Sequence, residues 1–284
     1  MKSLILPVFL IVTLSGSAQD YDSGDGNSGT ALYRTRDFYA GVTIGSMYAN
    51  KHTAFRYDGW DGEYTDFDWS VERLLFQSGP NNTQSLYNQV REVLGQRDFQ
   101  MGEYPENMRY NLSVSIGGVL GYYVSEGTAL FVEGMFSRLR TKDVFTLEVE
   151  SGNPTITEPD YELCGIDGFE ERLDVTAGVH IDFDPLEQGT LYMQLGAMLN
   201  ATRARKNEIT IRTLKYTLWQ WNENSNAYQN VDFGGLGFGG KAGLGYRFKF
   251  NEQFTFDLGA DVFLQKINLG PDPIQKWKMQ YFAY

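Results

Sequence analysis

From residue 38 onward, apolar side chains fall on every second position, which is the period of a β-strand and not the 3.6 of a helix. In FYAGVTIGSMYAN, Phe38, Ala40, Val42, Ile44 and Tyr48 share one face, and Gly41, Thr43 and Gly45 share the other. A second strand sets Tyr110, Leu112, Val114, Ile116, Leu120 and Tyr122 against Asn111, Ser113, Ser115, Gly117 and Gly121. After a tight SEGT turn, Leu130, Val132 and Phe136 oppose Glu133 and Ser137. The fourth strand carries Leu173, Val175, Ala177, Val179, Ile181 and Phe183 opposite Arg172, Asp174, Thr176, Gly178, His180 and Asp182. The fifth alternates Leu191, Met193, Leu195, Ala197 and Leu199 with Tyr192, Gln194, Gly196 and Asn200. The sixth runs through the glycine-rich GLGFGGKAGLGYRFKF, and the seventh sets Phe254, Phe256, Leu258, Ala260, Val262 and Leu264 against Thr255, Asp257, Gly259 and Asp261. The closing KWKMQYFAY reads as an eighth strand of open parity: Phe282 and Tyr284 share a face with Lys278 and Gln280, while Trp277 goes with Met279 and Tyr281.

The sixth strand also contains Gly235, Gly237 and Gly240 in GxGxxG spacing, and Gly235, Gly240 and Lys241 supply most of a phosphate-binding loop. Such a loop needs a helix N-terminus after it, so that backbone N–H groups converge on the phosphates. Here the alternation runs straight through the glycines, and Ala242 stands where a Ser or Thr would hold magnesium. Neither a nucleotide nor any other cofactor is expected.

The connections alternate in length. Those after the second, fourth and sixth strands are a few residues long, whereas those after the first, third and fifth span about 51–107, 145–168 and 206–232. In the first, TQSLYNQVREVLG predicts a short helix with Leu86, Val90, Val93 and Leu94 on one side and Gly95 to end it. Asp58, Asp61, Glu63, Asp66 and Asp68 lack the spacing and closing bidentate acid of a calcium loop, so no metal is expected there. This connection is expected to form a folded outer cap or a partner-docking surface. The alternation of Ile209, Ile211, Thr213 and Lys215 extends strands five and six beyond the rest. Trp60, Trp69, Trp219 and Trp221 are the loop aromatics suited to stacking on a glycan or a partner.

Both ends add information. Met1 and Lys2 precede an apolar run from Leu4 to Leu14 and the small residues Gly16, Ser17 and Ala18, which is the pattern of a signal peptide cut after residue 18. Residues 19–37 are acidic and rich in Gly and Ser, and are expected to be disordered. After the leader no apolar run approaches the roughly 18 residues of a transmembrane helix, so any span would be built of strands. The 36 acidic residues against 24 basic ones give a formal charge of −12, which disfavours nucleic acid. Cys164 is the single cysteine and reads as a loop thiol without a disulfide partner.

Period two alone fits either a soluble barrel with an apolar interior or a membrane barrel with a polar one. The membrane form is favoured by an inner face of glycines with charges of both signs, by the short and long connections in turn, by aromatics near strand ends (Tyr48, Tyr110, Tyr122, Phe183, Tyr246, Phe254), and by the terminal aromatics. The Gly-Ser-Ala-Gln cleavage site, the strands FYAGVTIGSMY and LGYRFKF, and the terminal Phe-Ala-Tyr resemble the small outer-membrane β-barrel domain family common in Bacteroidota. That resemblance covers most of Phe38 to Tyr284 and implies an all-β, eight-stranded, antiparallel up-and-down transmembrane barrel of residues 38–284, located in the outer membrane of a Gram-negative cell envelope. It transfers no catalytic residue.

Two clusters follow from the inferred faces. Glu133, Arg172, Asp174, His180, Asp182, Lys241, Arg247, Asp257 and Asp261 point inward, where they form a salt-bridged plug or line a narrow channel for small solutes or ions. Arg138, Arg140, Arg203 and Arg205 point outward around Glu171, as a rim at the level of lipid or lipopolysaccharide phosphates or as snorkelling side chains. A lipid-modifying enzyme would need a base beside a nucleophile. His180 belongs to the inner network, and His52 at the outer mouth has no serine and acid at a telling distance. The expected role is non-enzymatic: a structural or accessory barrel of an envelope complex, whose loops bind another envelope protein or a surface glycan.

Overall fold

The computed structural model describes residues 14–18, 37–60, 70–76, 83–152, 158–183, 189–218, 220–222, 227–229, 234–251, 254–269 and 277–283. The first part of the expected leader, nearly all of the acidic 19–37 segment, Trp69, Trp219 and the acids from Asp61 to Asp68 lie outside these residues. The strands are β1 (Leu14–Ala18), β2 (Phe38–Tyr48), β3 (Phe99–Met101), β4 (Ser113–Ser125), β5 (Thr128–Val149), β6 (Asp160–Asp182), β7 (Gly189–Ile211), β8 (Leu214–Thr217), β9 (Gln220–Asn222), β10 (Ala227–Gln229), β11 (Gly234–Lys249), β12 (Phe254–Lys266) and β13 (Trp277–Ala283). Three helices, α1 (Lys51–Ala54), α2 (Val71–Phe76) and α3 (Thr83–Val93), lie in the first long connection.

The fold is all-β, and its main sheet is antiparallel and curled. Strands β2, β4, β5, β6, β7, β11, β12 and β13 follow one another by hydrogen bonding, and Tyr281–Ala283 of β13 pair in turn with Tyr48, Met47 and Ser46 of β2. Further down, β1 lies between the same two neighbours, opposite Phe38–Val42 of β2 and Phe254–Phe256 of β12. The segment expected at the end of a leader is therefore a paired strand in the uncleaved chain. In the last strand, whose parity the sequence leaves open, Tyr281 and Met279 pair with the exposed Val262 and Leu264, and Phe282 with the buried Asp261.

The short turns mark one end of the sheet, here the lower end. At the upper end β5 and β6 stay in unbroken register from Thr128↔Ile181 to Val149↔Asp160, so the loop expected over 145–168 shortens to the residues between Val149 and Asp160. The alternation persists there with its polarity reversed, because Phe145, Leu147, Cys164 and Ile166 are the inward, buried set. The expected run through Lys215 is also corrected. The chain turns at Arg212, whose φ is 51°, and β8 folds back on β7 with Leu214 opposite Ile211.

The first long connection packs onto the concave face at this upper end. Ala54, Tyr57, Leu75, Val90 and Leu94 form one buried cluster with Phe145, Leu147, Ile166, Ile209 and Ile211. The α3 helix ends as expected: Gly95 has φ 80°, its N–H donates to the Glu92 carbonyl at 3.1 Å, and the Gln96 N–H donates to the Arg91 carbonyl at 2.8 Å. Asn50 caps α1, its Oδ1 accepting the His52 N–H at 2.9 Å. The α1 and α2 helices are too short for their period to register in the sequence. Together these elements make a lid over the interior.

Candidate functional site

The glycine-rich β11 is paired with β7 from Gly234 to Phe248 and with β12 from Gly239 to Lys249. Gly235, Gly237 and Gly240 thus lie within extended, paired strand and lack the helix N-terminus on which a phosphate cradle is built. Glycine has a different use on the concave face. A Cβ at Gly245 would lie 2.3 Å from the Tyr192 ring, and one at Gly121 would lie 2.1 Å from the Tyr39 ring. These two positions let inward aromatics lie flat against neighbouring backbone.

All nine inward charged residues expected from alternation face the interior. In the lowest layer, Arg247 grips Asp257 through two 2.8 Å hydrogen bonds, donates to Tyr123 Oη at 2.9 Å, and sits 3.6 Å from Asp182. Asp182 in turn accepts from Tyr123 Oη at 2.9 Å and contacts His180 Nε2 at 2.9 Å, while Gln194 holds the other imidazole nitrogen at 3.1 Å. One layer up, the Lys241 ammonium lies 2.5 Å from Glu133 and 2.8 Å from Asp261, over the ring of Phe131. Such pairing is the condition for burying charge in a low-dielectric interior.

The top layer joins the sheet to its lid. Glu170 accepts hydrogen bonds from Arg172 Nε at 2.6 Å and from the hydroxyls of Tyr57 and Tyr110, both at 2.9 Å. Arg172 also donates to Thr53 Oγ1 at 3.1 Å. Tyr57 and Thr53 come from the lid, so one carboxylate and one guanidinium fasten it. Burial, with Glu170 close by, pushes the Tyr57 hydroxyl well above its ordinary range and keeps it a donor. Asp174 stands apart from these pairs. Six residues of strand, about 20 Å, separate it from His180.

Sequence reasoning missed Glu170, Tyr57, Thr53 and the inward turn of Tyr110. Glu170 shares Arg172's parity, which is the signal that could have found it. Tyr110 had been expected among the outward aromatics, but it is buried and joins β5 only through an isolated bridge to Thr141. Outside regular strand, period two has no hold on it. Cys164 is likewise corrected from a loop thiol to an inward strand residue, where burial pushes its pKa up to about 12 and makes it inert.

The outward arginines meet as inferred, but they are already partnered. Arg138 and Arg205 flank Glu171 at 3.4 and 2.7 Å, and Arg140 pairs with Asp167, which also takes Lys206 at 3.1 Å. Arg203 lies directly opposite Glu171 across the β6–β7 ladder. Among the loop aromatics, Trp60 is exposed and its N–H donates to Asp58 Oδ1 at 2.9 Å. Trp221 lies in β9, which pairs with β10 in a separate two-stranded sheet. His52 is exposed on α1.

Taken together, the interior is a stack of ion pairs closed above by a lid, ringed outside by a band of paired charges. No protein-family model matches the chain, and comparison with curated proteins finds no relative.

Proposed function

We propose that the chain is an eight-stranded outer-membrane β-barrel without enzymatic activity, whose sealed interior serves stability and whose lid and extended strands form an external docking platform. A cleaved leader, ending after Ala18, would deliver it there. One observation carries the reading. On β5, β6 and β7 the outward residues are apolar at the lower end and change abruptly to charged ones at Arg138, Glu171 and Arg203. Below that line Leu130, Val132, Phe136, Leu173, Val175, Leu195 and Leu199 are exposed although fully apolar, and the inward face is ionic. Water on both sides would leave this belt without a physical reason, whereas hydrocarbon outside supplies one. The apolar stretch from Leu173 to Phe183 is about 11 residues, the length a tilted strand needs to cross a bilayer.

The ring of Arg138, Arg140, Arg203 and Arg205 would then sit at headgroup level, with guanidinium groups suited to lipid or lipopolysaccharide phosphates. The buried ion pairs and the Glu170–Arg172 latch favour a closed plug over a channel. An envelope protein or a surface glycan is the class of partner that the external platform would engage.

The test is gentle extraction of the envelope carrying the full chain, heat-modifiable migration of the product, labelling from a lipid-soluble probe, and conductance in planar bilayers. The reading expects folded and heated forms to migrate differently, labelling at Leu195 and Leu199 but not at Asp174 or Lys241, and no conductance. Solubility without detergent, or labelling of Lys241, would overturn the barrel. Steady conductance would overturn the plug.

A further inference from the structure

The outward arginines are not equivalent cations. Arg140 commits one whole edge of its guanidinium to Asp167, with Nε donating to Oδ1 at 2.9 Å and Nη2 to Oδ2. Arg138 and Arg205 meet Glu171 in another way. Each approaches through Nε, Arg138 at 3.4 Å from Oε1 and Arg205 at 2.7 Å from Oε2, and among the described residues no hydrogen bond takes the Nη groups of either. Those Nη groups carry four of the five N–H donors of each guanidinium. Because the two oxygens of one carboxylate bridge them, the two guanidinium groups stay within about 8 Å of each other.

Exposure shows which side remains open. The Glu171 side chain is 17% exposed, while those of Arg138 and Arg205 are 65% and 39% exposed, so the cations project over a carboxylate set behind them. Arg203, directly opposite Glu171 across the β6–β7 ladder, is exposed as well. At this height three guanidinium groups surround one carboxylate, a local surplus of two positive charges in a chain whose formal charge is −12. The pairs beyond it, Arg140 and Lys206 with Asp167 and Glu208, cancel. On the other side the surface turns apolar at once: the Arg138 guanidinium lies 5.6 Å over the Phe136 ring, and Leu173 and Leu199 are exposed beside and below it.

A ligand suited to this place is anionic at one end and apolar at the other. Glu171 bridges the two forks from the sheet side, and a second anion can bridge their Nη edges from outside. A phosphate monoester carries about −1.5 to −2 and three terminal oxygens, which matches the surplus charge and the free donors better than a singly charged diester does.

We propose that Arg138 and Arg205 clamp the phosphate monoester of an amphiphile whose apolar part lies along Phe136 and Leu173, with Glu171 as the positioning residue. This rests on the membrane reading above and narrows its phosphate rim: two arginines bind, Arg203 adds charge, and Arg140 is held by Asp167.

The experiment uses the folded full chain in detergent and titrates it with a phosphatidic acid, which is a monoester, and with a phosphatidylglycerol of the same acyl chains, which is a diester. Bound lipid is counted by native mass spectrometry. One phosphatidic acid is expected to bind, about tenfold tighter than the diester, and inorganic phosphate is expected to displace it only in large excess. Arg138→Lys and Arg205→Lys keep the charge but lose the fork, and each should weaken binding about tenfold, whereas Arg140→Lys should leave it unchanged. Glu171→Gln makes the patch more positive, yet it should weaken binding, because one guanidinium loses its anchor. Equal affinity for the two lipids overturns the proposal, as does Arg205→Lys binding like the wild type or Arg140→Lys weakening it as much. Tighter binding by Glu171→Gln would mean that bare charge attracts the lipid, which removes the clamp. Displacement by equimolar inorganic phosphate would make the ligand a free anion and overturn the amphiphile. The two-lipid comparison uses wild-type protein, so it decides even where a variant fails to fold. Solubility without detergent would overturn the membrane reading by itself, before any lipid is added.

Discussion

Along β5, the stretch below Ser137 turns Leu130, Val132 and Phe136 outward and Glu133 and Ser137 inward, while the stretch above it turns Arg138, Arg140 and Lys142 outward and Leu139, Phe145 and Leu147 inward. The backbone phase never slips, because the register with β6 is continuous across the boundary. What changes is which face is greasy. The upper part follows the ordinary rule of a protein in water, a buried apolar core under a charged surface, and the lid supplies the second layer of that core. The lower part turns its apolar face outward, and its interior sets ion pairs among a smaller number of buried apolar side chains such as Phe131, Met135, Met198 and Phe263. Stability in the two parts therefore has different physical sources, and single substitutions should separate them.

The largest effect is expected from Lys241→Met in the lower part. It deprives Glu133 and Asp261 of the ammonium they share and leaves two buried carboxylates facing each other. Removing one partner of a buried ion pair costs about 3–5 kcal/mol, so the folded form should be lost at much lower temperature, read as the temperature of the heat-modifiable shift. Adding Glu133→Gln and Asp261→Asn to Lys241→Met should recover much of the loss, since the uncompensated charge is then gone. If Lys241→Met alone melts like the wild type, ion pairing is not what holds the lower interior.

A middle-sized effect tests the boundary itself. Val132 and Val144 lie on the same outward face of the same strand and are exposed to the same degree, 52% and 51%, but on opposite sides of the switch at Arg138. With hydrocarbon around the lower part, Val132→Arg should cost about 2–4 kcal/mol in lipid or detergent. Val144→Arg should change stability by no more than about 0.5 kcal/mol, as for an exposed surface site. Equal effects at the two sites would remove the reason for placing a membrane around one half only.

The same contrast explains what the sequence disclosed. Below the switch, apolar-out alternation named the strands and every inward charge, because one face had to be greasy and a one-residue slip would have exposed all nine charges. Above it, reading for apolar-out strands failed: Phe145, Leu147, Cys164 and Ile166 still alternate, yet with the opposite polarity, and so were assigned to a loop. Glu170 sits at the crossover and was lost with them. Its partners Tyr57 and Tyr110 come from irregular segments, where only three-dimensional packing brings them onto one carboxylate. The rim was legible as a set of arginines around Glu171, but the ion pair of Lys206 with Asp167 depends on the bulge between β6 and β7 at Phe169 and Glu170, which alternation does not announce.

The smallest effect belongs to the upper part, away from the Glu170–Arg172 latch. Burial pushes the Asp58 carboxyl up from 3.8 to about 6, against the pull of the Trp60 N–H that it accepts. A raised carboxyl means that the folded lid holds the neutral acid better than the anion. Its contribution is complete below the unfolded value of 3.8 and is lost as pH rises through about 6. With partial exposure discounted, wild-type protein should lose about 1 kcal/mol of lid stability between mildly acidic and neutral pH. Asp58→Asn keeps an acceptor for the Trp60 N–H and should lose none, so the difference between the two proteins, followed by limited proteolysis of the lid across that range, isolates this one group. A difference that shrinks toward neutral pH would reverse the sign and show that Asp58 is held as an anion by a partner; a constant one would show that its burial is relieved in solution.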